Sequence, residues 1–320
     1  METLQGPVSF SEWKSGKSHF YILGDHHEKM EGTGAGKVHV QDLIREVLQE
    51  APQETLRLYI ETACLVPGIQ EENPRLEESN KSYIDELVEE FQTCFALNRE
   101  SCPWANIETI ALDFRLVYEN PAVHILDVAG LFGLGRGSFE ILESAEFLEA
   151  LEETLEILEL LREESVDLVE VMTRLYDQEA TIEQARDRLM ASSLQKVDKH
   201  LDTHIANQIE DGRFGSYCLE TIIGDLQELF EGVETLERAN ELLVGFMFAS
   251  NLAMDAHTLY CLAGVLDQNH KRSLFYVGRL HAEFIEDYLH KNGISCLRRQ
   301  EGPHQEMSLD NIGYPWFRSL

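Results

Sequence analysis

Two apolar segments of strand length, near opposite ends of the chain, finish in the same way. The first is Phe20-Tyr21-Ile22-Leu23 followed by Gly24-Asp25-His26-His27, and the second is Leu274-Phe275-Tyr276-Val277 followed by Gly278-Arg279-Leu280-His281. Each is a hydrophobic run, a glycine, two residues and a histidine. A run of this length and composition reads as a buried strand, and glycine at its end lets the backbone turn sharply. A histidine is thereby delivered just past the carboxyl end of a strand, where open α/β sheets form their ligand crevices. Two histidines presented in this way from distant positions can share one site. That requirement constrains the fold, because both ends of the chain then have to contribute to one sheet.

The segments between agree with that reading. Val38–Gln49 carries Val40, Leu43, Ile44, Val47 and Leu48 at helical spacing, Leu56–Ile60 is a strand, Ser82–Leu97 a helix, and Ile107–Leu112 another short strand. This βαβαβ alternation predicts an α/β fold with a mainly parallel sheet. The segment Gly130–Ser138 reads as a glycine-rich hinge, with a helix start at Ser138. From Phe139 to about Phe248 every long segment is helical in period. Strand character returns at Ser273–Val277, followed by a helix over Ala282–Lys291, a glycine cap at Asn292-Gly293 and a last short strand at Ile294–Leu297. The expected organisation is an α/β core from residues 1–129 and 251–320, a large all-helical insertion from 130–250, and an irregular docking tail over 302–320 that carries Tyr314, Trp316 and Phe317.

Charge narrows the partners. With 58 Asp plus Glu against 26 Lys plus Arg, the chain of 320 residues carries a formal net charge of -32. Such a surface repels nucleic-acid phosphates and anionic membranes, so neither is an expected partner. Much of the charge lies along Glu140, Glu143, Glu149, Glu152, Glu153, Glu156, Glu159 and Glu163, behind an apolar seam of Ile141, Leu148, Leu151, Leu155 and Leu158. That is an amphipathic helix whose acidic back is either a solvated face or a surface for a protein partner. No secretion signal is evident at the N-terminus, and Leu242–Met254 is too short to span a bilayer. Cys64, Cys94, Cys102, Cys218, Cys261 and Cys296 form no Cys-x-x-Cys pair. They read as reduced thiols in a cytoplasmic protein.

Several candidates for chemistry stand out. Gly32-Thr33-Gly34-Ala35-Gly36-Lys37 is not a phosphate loop, since Glu31 and Val38 occupy the positions where that motif needs glycine and Ser or Thr. It reads instead as a loop over the site mouth. Of the adjacent His26 and His27, only one can face a given metal or substrate, and the strand–glycine context favours His27. Glu61 follows the strand Leu58-Tyr59-Ile60, where a carboxylate needs a partner or a task. Asp113 and Arg115 follow Ile110-Ala111-Leu112 as a brace or as site residues. Asp255 lies on an apolar helix, as a partner for Arg115 or Arg279 or as part of the site. His200 and His204 have a four-residue ligand spacing but lack the other parts of a zinc-peptidase helix.

The ordered set Gly24, His27, Glu61, Gly278 and His281 resembles the erythromycin esterase, ChaN-like and TraB/TIKI-type superfamily, although Asp25 stands where glutamate is usual. The fuller pattern, with Gly24-Asp25-His26-His27, Ile60-Glu61, Leu112-Asp113-Phe114-Arg115, Asp255 and Tyr276–Glu283, is similar to an uncharacterised protein family of large DNA viruses of amoebae. The resemblance implies an α/β core with site residues from both chain ends. It implies metal-dependent peptidase activity in the TIKI-type branch, lactone hydrolysis in the esterases and haem binding in the ChaN-like proteins.

The expected function is therefore a hydrolase that activates water against an ester or peptide bond. Glu61 is the general base, and His27 and His281 transfer protons or, with Glu61, hold a divalent Mn, Co or Zn ion in preference to haem. Arg279 or Arg115 stabilises an oxyanion. Asp25, Asp113, Asp255 and His26 support from behind. The competing class is a non-catalytic interaction protein that keeps the site as a polar core and binds a partner through its acidic helical insertion.

Overall fold

The computed structural model describes residues 3–26, 37–50, 52–63, 82–95, 100–113, 115, 120–162, 171–172, 175, 219–267, 272–301 and 306–308. The chain divides into two compact units, one of Met1–Asp113 with Cys261–Leu320 and one of Phe114–Tyr260. The fold is α/β, with strands from both ends of the chain and a helical region between them.

Among the described residues the α/β unit holds nine strands: β1 (Thr3–Gln5), β2 (Ser9–Ser15), β3 (Ser18–Asp25), β4 (Lys37–His39), β5 (Leu56–Ala63), β6 (Ile107–Asp113), β7 (Ser273–Gly278), β8 (Ser295–Glu301) and β9 (Glu306–Ser308). Six of them form one sheet in the order β6-β5-β7-β3-β2-β8. The four strands from β6 to β3 run parallel, and β2 and β8 continue the sheet antiparallel. The late strand β7 is inserted between β3 and β5, so the two ends of the chain meet in the middle of the sheet. A second sheet, β4-β1-β9, shows that part of the expected irregular tail, Glu306–Ser308, is a strand paired to β1. Tyr314, Trp316 and Phe317 lie outside the described residues.

Both faces of the six-stranded sheet are covered, which is why its central strands read as unbroken apolar runs. One face carries Tyr21, Leu23, Leu58, Ile60, Leu274 and Tyr276, packed with α1 (Val40–Glu50) and α2 (Tyr83–Phe91) into one apolar core. The buried stripe of α1 is Val40, Leu43, Ile44, Val47 and Leu48, as its spacing predicted. A reciprocal Ser82–Asp85 capping box starts α2. On the other face Phe275 stacks on Tyr59, with ring centroids 4.4 Å apart, and meets Phe20 edge-on at 6.5 Å.

After α2 a 3-10 turn, Gln92–Cys94, places Cys94 beside Cys102, with Cα atoms 4.6 Å apart and a disulfide between them. This corrects the expectation that all six cysteines are reduced thiols. The fold makes the pair, since a spacing of eight residues carries no motif. Cys64 and Cys218 lie outside the described residues, and Cys261 and Cys296 stand outside any disulfide.

The second unit contains α3 (Pro121–Gly133), α4 (Phe139–Leu142), α5 (Ala145–Arg162), α6 (Leu219–Glu231) and α7 (Leu236–Asp267), whose residues from Cys261 onward belong to the α/β unit. Half of the expected hinge is helix, because Asn120 caps α3, Pro121 opens it, and it runs on through Gly130 to Gly133. The α5 helix buries Leu151, Leu155 and Leu158 against neighbours while Glu149, Glu152, Glu153, Glu156 and Glu159 face outward. Although α7 has 32 residues, no described helix is long and apolar enough to cross a membrane. His200 and His204 lie outside the described residues.

The helix α8 (Arg279–Lys291) packs on β3 and β7, and against the antiparallel strands β2 and β8 it buries a carboxylate. Glu286 is 3 % exposed, with the Arg299 guanidinium 3.1 Å away and a hydrogen bond from the Ser11 hydroxyl. On the opposite face Glu12 is held by His19 at 2.6 Å and Arg298 at 3.3 Å. Consecutive arginines of β8 thus neutralise one buried carboxylate on each face, as strand alternation requires. Burial raises the Glu286 carboxyl above its ordinary value of 4.5, against the opposing pull of Ser11 and Arg299.

A raised folded value means that the native state holds the proton longer than the unfolded chain. Stability therefore falls as pH rises from 4.5 through the folded value. In urea titrations at several pH values, Glu286→Gln should gain stability relative to wild type across that window. A difference that is flat or of opposite slope contradicts this account.

Candidate functional site

The parallel pairing of β3 with β7 brings the two sequence motifs side by side. Gly24 lies opposite Val277, and Asp25 opposite Gly278. On the other flank of β7, Tyr59 and Ile60 of β5 align with Phe275 and Tyr276. Beyond β5, Ala63 pairs with Asp113 at the end of β6. Asp25, Asp113 and Gly278 end their strands and Glu61 lies two residues before the end of β5, so four adjacent strands bring them to one carboxyl edge. This is where a parallel sheet places its ligands.

Glu61 is the residue that joins these ends. Its strand register against β6 slips by one residue between Ile60 and Ala63. Oε2 of Glu61 accepts a hydrogen bond from the backbone N–H of Gly278, and Oε1 lies 3.5 Å from His281 Nε2. The two side chains are only 8 and 9 % exposed. Gly278 is also the N-cap of α8, so the carboxylate sits at the positive end of that helix. The helix begins at Arg279 rather than Ala282, which puts His281 in its first turn and not on a loop.

The glycines act differently from the expectation of sharp turns. Gly278 has φ -57 and ψ 150, a conformation open to any residue, and Gly24 is not in the left-handed region. Gly24 is needed for space. A Cβ there would stand 2.4 Å from Ser9 Oγ, 3.0 Å from Ala282 Cβ and 3.2 Å from Arg279 Cα. The glycine of the first motif thus seats the helix that carries the histidine of the second. Neither Ser9 nor Ala282 was singled out by sequence, because a close approach across strands leaves no local signal.

The other expected site residues fall into distinct places. Asp25 is 1 % exposed, and its Oδ1 accepts the backbone N–H of the exposed His26 at 2.8 Å, fixing where the chain leaves β3. Against Asp25 lies the phenol of Tyr276, raised well above its ordinary value by burial and then by that carboxylate. Tyr276 lies inside the second motif, yet its apolar context marked it only as core. Its hydroxyl would be 2.7 Å from a Cβ on Gly6, which has φ 116° and no room for a side chain.

Arg279 is half-exposed, with Nε 2.7 Å from Glu283 Oε1 one helical turn on. Asp113 is buried. Arg115 and Asp255 belong to the helical unit, where Arg115 donates to Asn251 Oδ1 and touches Met254 Sδ at 3.2 Å. His27 and the glycine run Gly32–Gly36 lie outside the described residues. Among the described residues no group of three or more His, Cys, Asp and Glu side chains is gathered as a metal site.

No protein-family model, curated protein or solved structure matches the chain.

Gly24→Ala should cost about 1–3 kcal/mol in chemical denaturation, the range for overfilling a packed site. Adding Ser9→Ala should recover part of that loss and not all, because Arg279 Cα and Ala282 remain in the way. A neutral single variant contradicts the packing role of Gly24.

Proposed function

We propose that the chain is a hydrolase that activates water at the carboxyl edge of its parallel sheet, acting on an ester or peptide bond. One observation carries the reading: a nearly buried carboxylate and imidazole, Glu61 and His281, face each other at 3.5 Å on that edge. Anchored by Gly278 N–H, Glu61 keeps one oxygen turned toward the ring. A carboxylate so placed orients the imidazole and stabilises its protonated form while the ring takes a proton from water. Glu61 thereby shifts from the expected general base toward orienting the base, with His281 handling the proton.

His27, following Asp25 and His26 out of β3, is the second proposed histidine of the site. Asp25 acts by setting the backbone path at His26 rather than by touching the water. Arg279 would meet a developing oxyanion only after leaving Glu283.

The Glu61–His281 pair also fits a divalent Mn, Co or Zn ion, with His27 as the third ligand. Nitrogen and oxygen ligands of a tetrahedral ion, each about 2.0–2.2 Å from it, stand roughly 3.4 Å apart, close to the 3.5 Å between this pair. A metal bound there would supply a water of lowered pKa.

A second reading is favoured by the Gly278 contact itself. Glu61 then serves as an acceptor at the start of α8, the edge is a structural polar core, and the outward glutamates of α5 receive a protein partner.

The Glu61→Gln substitution separates the two readings, since an amide oxygen can still accept from Gly278 N–H while the charge is lost. With a panel of esters and peptides, and with Mn, Co or Zn added or withheld, the hydrolase reading predicts turnover by wild type. It also predicts a loss of about 10²–10⁴-fold in kcat/KM for Glu61→Gln and His281→Ala at little cost in Tm. Elemental analysis of protein purified without chelator reports the metal. Absence of turnover over the whole panel, or full activity in Glu61→Gln, removes the hydrolase reading. Loss of stability in Glu61→Ala but not in Glu61→Gln then marks the structural role.

A further inference from the structure

We propose that the Cys94–Cys102 disulfide is a reversible, redox-operated clamp on the outer edge of the six-stranded sheet. Cys94 closes the 3-10 turn after α2, and the next residue, Phe95, makes a parallel bridge to Thr109 of the edge strand β6. Cys102 lies on the return of the chain toward Ile107, where β6 begins. The bond therefore ties the end of α2 to the approach of β6 and holds Phe95 along an edge strand that no other described strand pairs on that side. An edge strand left uncovered is a template for pairing with other chains.

Three features make the clamp reversible. Cys102 is partly exposed between exposed Ser101 and Pro103, so a reductant reaches its sulfur while Cys94 stays 1 % exposed. Both thiols have a place to go. Cys94 sits in the apolar core with Leu87, Phe91, Phe95 and Ile107, where a free thiol behaves as a small hydrophobe. The Cys102 sulfur lies 3.3 Å from the Trp104 carbonyl oxygen, which accepts an S–H once the bond is open. Cys94 keeps the same apolar neighbours as a thiol, so opening loosens the edge and leaves the unit folded.

The exchange is balanced with a dithiol as reductant. Its thiolate attacks Cys102 Sγ, the S–S bond breaks, and Cys94 leaves and takes a proton. The second thiol of the reductant then attacks the mixed disulfide, closes its own ring and releases Cys102, which is protonated in turn. Two electrons pass to the cystine, and the dithiol ends as a cyclic disulfide. A glutathione disulfide reverses the reaction.

The test uses the full-length protein, native, with and without dithiothreitol, followed by iodoacetamide labelling and peptide mass spectrometry. Labelling of Cys102 should require dithiothreitol and be lost again after oxidised glutathione, with the circular dichroism spectrum unchanged. Hydrogen exchange over Phe95 and β6 should speed up about tenfold or more on reduction, and Tm should fall by roughly 5 °C, as expected for a short closed loop. The Cys102→Ser variant should match reduced wild type and ignore both reagents. Labelling of Cys102 without reductant, reduction only in denaturant, or reduction without change in exchange and Tm each overturns the clamp.

Discussion

The carboxylate of Glu61 reaches from the end of β5 to the start of α8, and the arrangement of the carboxyl edge follows from that reach. It accepts the backbone N–H of Gly278 with one oxygen and faces His281 with the other. Burying a carboxylate is costly unless donors meet it. Here the donor is the N-cap amide of a helix, whose dipole favours negative charge. The register shift between Ile60 and Ala63 flanks Glu61, whose side chain reaches across to Gly278 of β7. The partner strand arrives from the far end of the chain, so this contact adds a side-chain tie to the β3–β7 and β5–β7 ladders that join the two sequence segments of the unit. Gly24 completes the lock from the β3 side by giving Arg279 and Ala282 room to approach.

The rest of the sheet supports this edge by ordinary means. Paired aromatic and aliphatic side chains fill both faces of the central strands. The outer strands are handled differently. The β8 strand is largely exposed and charged, and its two arginines turn to opposite faces to neutralise Glu12 and Glu286. Charge along an edge strand also discourages pairing with other chains. At the opposite edge β6 is covered near Thr109 by Phe95, next to the Cys94–Cys102 disulfide.

What could be read from sequence divides along the same line. The inner strands β3, β5 and β7 are buried on both faces and the edge strand β6 still buries Ile107 and Leu112, so all four appear as apolar runs, and the helices between them show their period. The α/β class and the meeting of both chain ends followed from these. The antiparallel strands β2 and β8 left no such trace. In β2 the residues Ser11 and Glu12 are buried by hydrogen bonding and ion pairing rather than by apolarity, and Arg298-Arg299-Gln300-Glu301 of β8 reads as a polar loop.

Within the site, the pairing of Glu61 with His281 was legible because each follows a strand that could be recognised. The one-residue bulge, the packing role of Gly24, the Asp25–Tyr276 contact and the disulfide were not, since each arises from register or from approach between distant segments. The role given to Arg279 by sequence met a nearer partner one turn along its own helix, in Glu283.

The most direct test of this account is the exchange of a single proton, the amide of Gly278, followed by nuclear magnetic resonance. Held by a buried carboxylate, it should be protected to a degree comparable with the central strands, and Glu61→Ala should abolish that protection while the amides of β3 keep theirs. A Gly278 amide that exchanges as freely as an exposed loop in the wild-type protein would contradict the account at its base.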